Sequence, residues 1–213
     1  MNVKKLVLKP TYFIHETAIV EDNVVIGERS KVWHQCHVMK GAIIGDDVSL
    51  GKGVFIDRDV EVQSGSRIQN GVSVYKGVKI QKSVFVGPNV TFTNDRFPRA
   101  GIKNWHLSET LLKDGCSIGA GSVITPDIEV GAFALIGAGS VLTETIPDFH
   151  LAYGLPARIV SKICACGCTR LEMSTRPKDY IQKCCQENLK EEVLELAKSH
   201  IKSIILNEQE SKF

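Results

Sequence analysis

No stretch of this 213-residue chain approaches the roughly 18–20 consecutive apolar residues that a membrane-spanning helix requires, so no membrane partner is expected. Neither sign of charge dominates: 26 Lys and Arg against 24 Asp and Glu leave a formal net charge of +2. That is not the domain-wide basic excess of a nucleic-acid binder, and no nucleic acid is expected as a partner. The lysines within residues 1–10 are not followed by an apolar core and a small-residue cleavage site. No secretory signal is therefore expected, and the expected location is the cytoplasm. The Cys-x-x-Cys pair of zinc ribbons is also missing. Seven cysteines are present, an odd number; Cys36 and Cys116 stand alone, while Cys164, Cys166, Cys168, Cys184 and Cys185 crowd the C-terminal region. A chain of this length can bury a core without disulfide staples, so reduced, partly buried thiols and no metal are the expectation.

What is present is a repeat of six. From Ile14 every sixth residue is large and apolar, through Val20, Ile26, Val32, Val38, Ile44, Leu50, Ile56, Val62, Ile68, Val74, Ile80 and Val86 to Phe92. Four positions on in each unit stands a small or β-branched residue, from Ala18 and Val24 through Ser30, Cys36 and Ala42 to Val90. Two inward positions separated by one outward residue make a short strand, because strand side chains alternate faces. The intervening residues are rich in Gly, Asp, Asn and Lys, which turn corners. Apolar spacing of six excludes an amphipathic helix here. Three such units make one triangular coil, and successive coils pair as parallel strands around a β-branched core. The expected fold is therefore all-β, a parallel β-helix of hexapeptide repeats.

The repeat breaks once, between Phe92 and Leu112, and resumes through Ile118, Ile124, Val130, Ile136 and Leu142. The gap is twenty residues where six would serve, so fourteen are extra. A loop of that length in a compact domain is commonly functional. The segment 93–111 carries Trp105, His106, Arg96 and Arg99, and guanidinium groups suit phosphates and carboxylates alike.

Residues one coil apart should lie above one another, giving three columns of corner residues. The first reads Glu16, His34, Lys52, Asn70, Pro88 and, if the loop leaves the winding intact, Ala120 and Ala138. The second reads Asp22, Lys40, Arg58, Lys76 and Asn94, and the third Glu28, Asp46, Ser64, Lys82, Asp114 and Ala132. Three successive basic residues leading to Asn94 would stabilise a phosphate at that edge, although a solvated corner is polar in any case. Small residues at the top of the first column, in the repeated phrase Ile-Gly-Ala-Gly-Ser-Val, would let an extended ligand approach the backbone. Outward residues Ile19, His37 and Phe55 should stack on one face, and Val25 and Ile43 on another, as apolar surfaces for association. The final segment holds a helical stripe of Leu189, Val193, Leu196, Ala197, Ile201, Ile204 and Ile205, with little else expected for it to pack on.

Residues 14–160 resemble the hexapeptide-repeat acyltransferases, and Tyr153-Gly-Leu-Pro-Ala-Arg-Ile159 is similar to the segment that closes their β-helix. The resemblance, not the spacing, implies a left-handed coil, since ordinary crossovers are right-handed. It implies a domain over 1–160 with an inserted loop, and an extension over 161–213. It also implies a homotrimer with sites in the clefts between subunits, and acetyl-CoA lying along the upper coils. Gly119, Ala120, Gly137, Ala138, Pro156 and Arg158 are the residues this places beside the cofactor. The phrases Ile68–Tyr75 and Val86–Arg99 resemble enzymes that acetylate the 3-amino group of nucleotide-linked sugars. The implied acceptor is UDP-2-acetamido-3-amino-2,3-dideoxyglucuronate or a dTDP-3-amino-3,6-dideoxyhexose, and the implied process is surface-polysaccharide synthesis such as that of lipopolysaccharide O-antigen. Candidate substrate-binding residues are Asn70, Tyr75, Lys76, Asp95, Arg96 and Arg99. Asn94 and His34 are the catalytic candidates, Asn94 by orienting the amine or the thioester. A hydroxyl acceptor served by His34 or His106 as base is an alternative. A metal-dependent hydratase like the β-helical carbonic anhydrases is another, but it needs three converging histidines. His34 and His37 are present, whereas two coils above His34 stands Asn70.

Overall fold

The computed structural model describes residues 11–101, 103 and 105–210. Lysines within 1–10, Ile102 and Asn104 of the loop, and the last three residues lie outside the described set. The chain winds as a parallel β-helix with three faces, among the described residues sheets of ten, seven and six strands, and the first twenty strands fall to the three sheets in strict rotation. Strands are mostly two residues long, one outward and one inward. Phe13 pairs with Lys31, Ile19 with His37 and Val25 with Ile43, an offset of one coil in each sheet. The expected apolar stacks on the outer faces are thereby in register.

The core is the sixfold ladder. From Val32 to Leu142 each residue of the larger series is at most 1% exposed, whereas Ile14 in the first coil is 37% exposed. The smaller series is buried with it, and its serines are accommodated because the backbone satisfies their hydroxyls. Ser30 Oγ donates to Gly45 O at 2.6 Å and accepts from Val48 N at 3.0 Å. Each corner places one residue in the left-handed region, six apart: Asn23, Arg29, Gln35, Gly41, Asp47 and onward to Asn89. This recurring conformation explains the enrichment of the corners in Gly, Asn and Asp.

The loop does leave the winding intact. Across it Thr91 pairs with Val123 and Val78 with Thr110, so the coils on either side stack as neighbours.

The top is closed by a change of strand direction. His150–Gly154 continues the first sheet, and Ala157–Ile163 runs antiparallel to it. The latter strand crosses the division expected at residue 160, so the extension grows out of the β-helix without a break. Helices α1 (Lys183–Asn188) and α2 (Glu191–Glu210) follow. The expectation that the helical stripe has little to pack on is corrected by a second apolar cluster. Ala197 and Ile201 are buried with Phe133, Phe149, Tyr180, Cys164 and Cys185, and Val193, Leu196, Ile204 and Ile205 pack around them. Phe133 and Phe149 occupy left-handed corner positions and stack at 5.2 Å, forming the platform beneath α2.

One polar contact pins α2 to the third corner. His200 Nε2 lies 2.9 Å from Asp114 Oδ2, and Asp114 Oδ1 accepts from the Lys82 amide at 2.9 Å. Burial alone would raise the Asp114 carboxyl, but the hydrogen bonds from His200 and Lys82 outweigh it and hold the group below its ordinary value. A depressed carboxyl contributes stability above its unfolded pKa and loses it as pH falls through the folded value. Asp114→Asn should therefore cost about 1–2 kcal/mol near neutrality. Thermal melts should show the gap to wild type narrowing only below about pH 4. A gap independent of pH would show that the charge is not what pins the helix.

Candidate active site

The corner columns stack as expected. In the first, Gly53 N bonds His34 O, Gly71 N bonds Lys52 O, and Asn89 N bonds Asn70 O. The series continues through Gly121 N to Pro88 O and Gly139 N to Ala120 O, so His34, Lys52, Asn70, Pro88, Ala120 and Ala138 form one edge. His34 is exposed, its ring stacked on His15 at 3.5 Å. It lines a cleft of about 280 Å³ with Trp33, Ser49, Lys52, Gln69 and Asn70. Asn70 Oδ1 is engaged there by the Lys52 amide at 2.9 Å.

Higher on the same edge, Ala120 and Ala138 are exposed and the turn at Leu155–Pro156 stands beside them, Gly154 N bonding Ser140 Oγ at 3.2 Å. The glycines of this stretch answer to the coil itself. A Cβ on Gly119 would lie 2.7 Å from Ala138 Cα, and one on Gly137 would lie 2.7 Å from Tyr153 Cβ. Their small size lets successive coils close up, and the exposed alanines present the small surface to solvent. Arg158 lies 3.8 Å from Glu144, away from those alanines in sequence and on the side of the second corner.

The second edge carries the remaining candidates. Asn94 Nδ2 donates to Lys76 O at 3.3 Å, and Asn94 O accepts from Ser108 N at 3.4 Å, so Asn94 stands at the neck of the loop. Two of the three cations expected to form a basic column are paired. Lys76 Nζ lies 2.9 Å from Asp59 and Arg58 Nε 3.6 Å from Asp57. Both carboxylates come from the positions flanking Arg58, Asp59 reaching up to Lys76 on the next coil, a neutralisation that a reading of corner columns alone misses. Tyr75 is 38% exposed and its ring lies 6.0 Å from that of Phe55.

The loop folds back on itself and on the next coil. Asp95 Oδ1 accepts from Phe97 N at 2.9 Å and its Oδ2 from Trp105 Nε1 at 3.1 Å. Arg96 reaches Asp127 at 4.0 Å, and Ser108 Oγ bonds the same carboxylate at 3.1 Å. Asp127 is therefore an anchor of the site that sequence reasoning did not single out; its signal was a position at the second corner one coil beyond Asn94. Arg99 is exposed and bonds the adjacent Pro98 carbonyl at 2.8 Å.

The candidates thus divide between two edges of one chain. Lys76, Asn94, Asp95, Arg96 and Arg99 share the second corner, whereas His34, Asn70, Ala120 and Ala138 share the first. His34 and Asn94 do not meet: besides standing on different edges they are three coils apart, about 14 Å of rise. A separate cleft of about 670 Å³, lined by Arg29, Trp33, Asp47 and Arg67 among others, holds none of these candidates. Within it Arg29 pairs with Asp47 at 2.6 Å.

Comparison with known proteins agrees with this architecture. Models of the bacterial transferase hexapeptide match residues 23–58, and of the succinyl-transferase hexapeptide repeat residues 41–76 and 114–144. A dTDP-3-amino-3,6-dideoxy-α-D-galactopyranose 3-N-acetyltransferase of Aneurinibacillus thermoaerophilus is 51% identical over 156 residues, 73% of this chain and 81% of the relative. Among solved structures, an acetyltransferase candidate of Bacillus cereus superposes with a TM-score of 0.50 at 15% identity, over 90% of this chain and 92% of its own. PerB of Caulobacter crescentus, solved with CoA and GDP-perosamine, has a TM-score of 0.45 at 22% identity. The match takes in 70% of this chain, which spans 56% of the length of that one. With the sixfold ladder, the uninterrupted corner columns and a relative matched over most of both chains, this chain belongs to the hexapeptide-repeat transferases and groups within them with the acetyltransferases.

Proposed function

We propose that the protein transfers the acetyl group of acetyl-CoA to the 3-amino group of a nucleotide-linked 3-amino sugar, with a dTDP-3-amino-3,6-dideoxyhexose as the acceptor. The observation that carries this reading is the 51% identity to an enzyme named for that reaction on the galactose-configured sugar. In the proposed reaction the neutral amine attacks the thioester carbonyl carbon, a tetrahedral oxyanion forms, and the carbon–sulfur bond breaks. The departing CoA thiolate takes the amine proton, leaving amide and free thiol. Such chemistry asks chiefly for orientation and for stabilisation of the oxyanion. Asn94 supplies the orienting carboxamide: with Nδ2 held by Lys76 O, Oδ1 remains as an acceptor for the amine. Arg99 provides a cation for the diphosphate, and Lys76 and Arg96 join it by exchanging their exposed partners Asp59 and Asp127 for the ligand. Tyr75 and Asn70 make polar contacts to the sugar. Ala120, Ala138 and Pro156 border the pantetheine arm, with Gly119 and Gly137 holding the coils beneath it and Arg158 near the nucleotide end.

Because these sets occupy different edges, the reading requires that the first corner of one chain face the second corner of another, as a homotrimer provides. The outward residues Ile19, Val25 and Ile43, 60%, 58% and 47% exposed, supply apolar faces for that assembly. The product would enter surface-polysaccharide synthesis in the cytoplasm; no helix among the described residues is long and apolar enough to cross a membrane.

The test is thiol release from acetyl-CoA with dTDP-3-amino-3,6-dideoxygalactose, UDP-2-acetamido-3-amino-2,3-dideoxyglucuronate and their 3-hydroxy counterparts side by side. Turnover is expected with the dTDP amine in preference to the others. Turnover of a hydroxyl sugar alone would replace this reading with an O-acetyltransferase served by the exposed His34.

A further inference from the structure

Outside the proposed active site, a group of metal-ligating side chains among the described residues is made of sulfur. Cys164 and Cys166 follow strand Ala157–Ile163, and Cys184 and Cys185 lie in α1. The four sulfurs lie within 4.8 Å of one another. Cys164 Sγ is 3.5 Å from Cys166 Sγ and 3.9 Å from Cys184 Sγ, and Cys166 Sγ is 3.6 Å from Cys184 Sγ. A tetrahedral zinc site with zinc–sulfur bonds of about 2.3 Å has sulfur–sulfur edges of about 3.8 Å. The three measured edges bracket that value. A disulfide, by contrast, would need sulfurs about 2.0 Å apart. The thiols themselves are weak donors, so packing four of them together gains little unless something joins them.

The surroundings are those of a ligand set. Gly167, at φ +77, lets the segment turn so that its amide bonds Cys164 O at 2.8 Å, which sets Cys164 and Cys166 side by side. The Thr169 amide lies 3.2 Å from Cys164 Sγ, and Thr169 Oγ1 lies 3.5 Å from Cys184 Sγ. Such donors orient and stabilise metal-bound thiolates. Cys164 and Cys185 are fully buried, and Cys166 and Cys184 partly so.

We infer that Cys164, Cys166, Cys184 and Cys185 form a structural site for one zinc ion, or another thiolate-preferring divalent cation, that clamps α1 to the closing hairpin of the β-helix. The spacing Cys-x-Cys-x-Cys argues against a metal when the first three cysteines are taken alone. The fold completes the set differently, by bringing α1 back across twenty residues and leaving Cys168 exposed at its rim, 3.2 Å from Cys166. With four protein ligands the site is closed, so its role is to hold the fold, and catalysis at the second corner does not call on it.

The full chain, purified under reducing conditions with added zinc and then desalted, should retain one equivalent of zinc. Replacement by cobalt should produce thiolate-to-cobalt charge-transfer absorption. A chelator should release the metal and expose four further thiols to titration. Cys184→Ser and Cys166→Ser should lose the metal, while Cys168→Ser and Cys36→Ser keep it. Should those ligand variants misfold, the wild-type chelator and cobalt measurements still decide the matter. Metal content well below one equivalent in the wild-type chain, no protection of thiols, or equal loss in Cys168→Ser would overturn the proposed ligand set.

Discussion

Gly119→Val should lower stability by about 3 kcal/mol or more, a loss of roughly 6–12 °C in Tm for a chain of this size. Gly119 is a spatial requirement, not a conformational one. Its φ is not in the left-handed region, yet a Cβ would lie 2.7 Å from both Ala138 Cα and the Gly137 carbonyl carbon. Those atoms are backbone, and the Gly119 amide is itself bonded to Ile136 O at 2.8 Å. Relief therefore means prising two coils apart, which strains the ladder above and below. Gly121, two residues on, makes the control. It has φ +66 and nothing within 4 Å of the place a Cβ would occupy, so Gly121→Ala should cost only the left-handed penalty of about 1–2 kcal/mol. Thermal melts of both variants test the distinction, and equal losses would contradict it. Because Ala120 borders the proposed pantetheine path, Gly119→Val should also weaken acetyl-CoA binding.

The second large effect is on turnover. Asn94→Ala should reduce kcat at least tenfold, about 1.4 kcal/mol of transition-state stabilisation, with a smaller change in KM for acetyl-CoA. Asn94 sits at the loop's neck, its carboxamide tied to Lys76 O and its carbonyl to Ser108 N. A group so fixed on two elements can hold an amine in line with a thioester at little entropic cost. Removing it leaves the pair bound but badly aligned, which lowers kcat more than binding. Steady-state kinetics with an unchanged kcat would remove Asn94 from the mechanism.

The fold was legible because each inward residue obeys one period and each corner repeats one conformation. The stacking of His34, Lys52 and Asn70 followed from the same arithmetic. The loop was visible only as an interruption. Its closure by Asp95 with Trp105, and by Arg96 with Asp127, depends on pairings between residues that share no period. Similarly the basic column was legible, but not the carboxylates of Asp57 and Asp59 that pair two of its cations. The seat of α2 left a trace that reads clearly in retrospect. Phe133 and Phe149 occupy corner positions elsewhere held mostly by Gly, Asn, Asp or Ser, and an aromatic ring there needs something to cover it.

A parallel β-helix is in principle an unending object, since every coil offers the next a complete row of unpaired amides and carbonyls. Such a row is also a template for foreign strands. The antiparallel strand Ala157–Ile163, laid on His150–Gly154 and followed by Arg170–Leu171, reverses the direction of that row. A further hexapeptide coil, from this chain or from another molecule, would find the wrong polarity at the top of the first sheet. The closing hairpin therefore acts as a chain terminator, setting the length of the solenoid and protecting that end against fibrous growth.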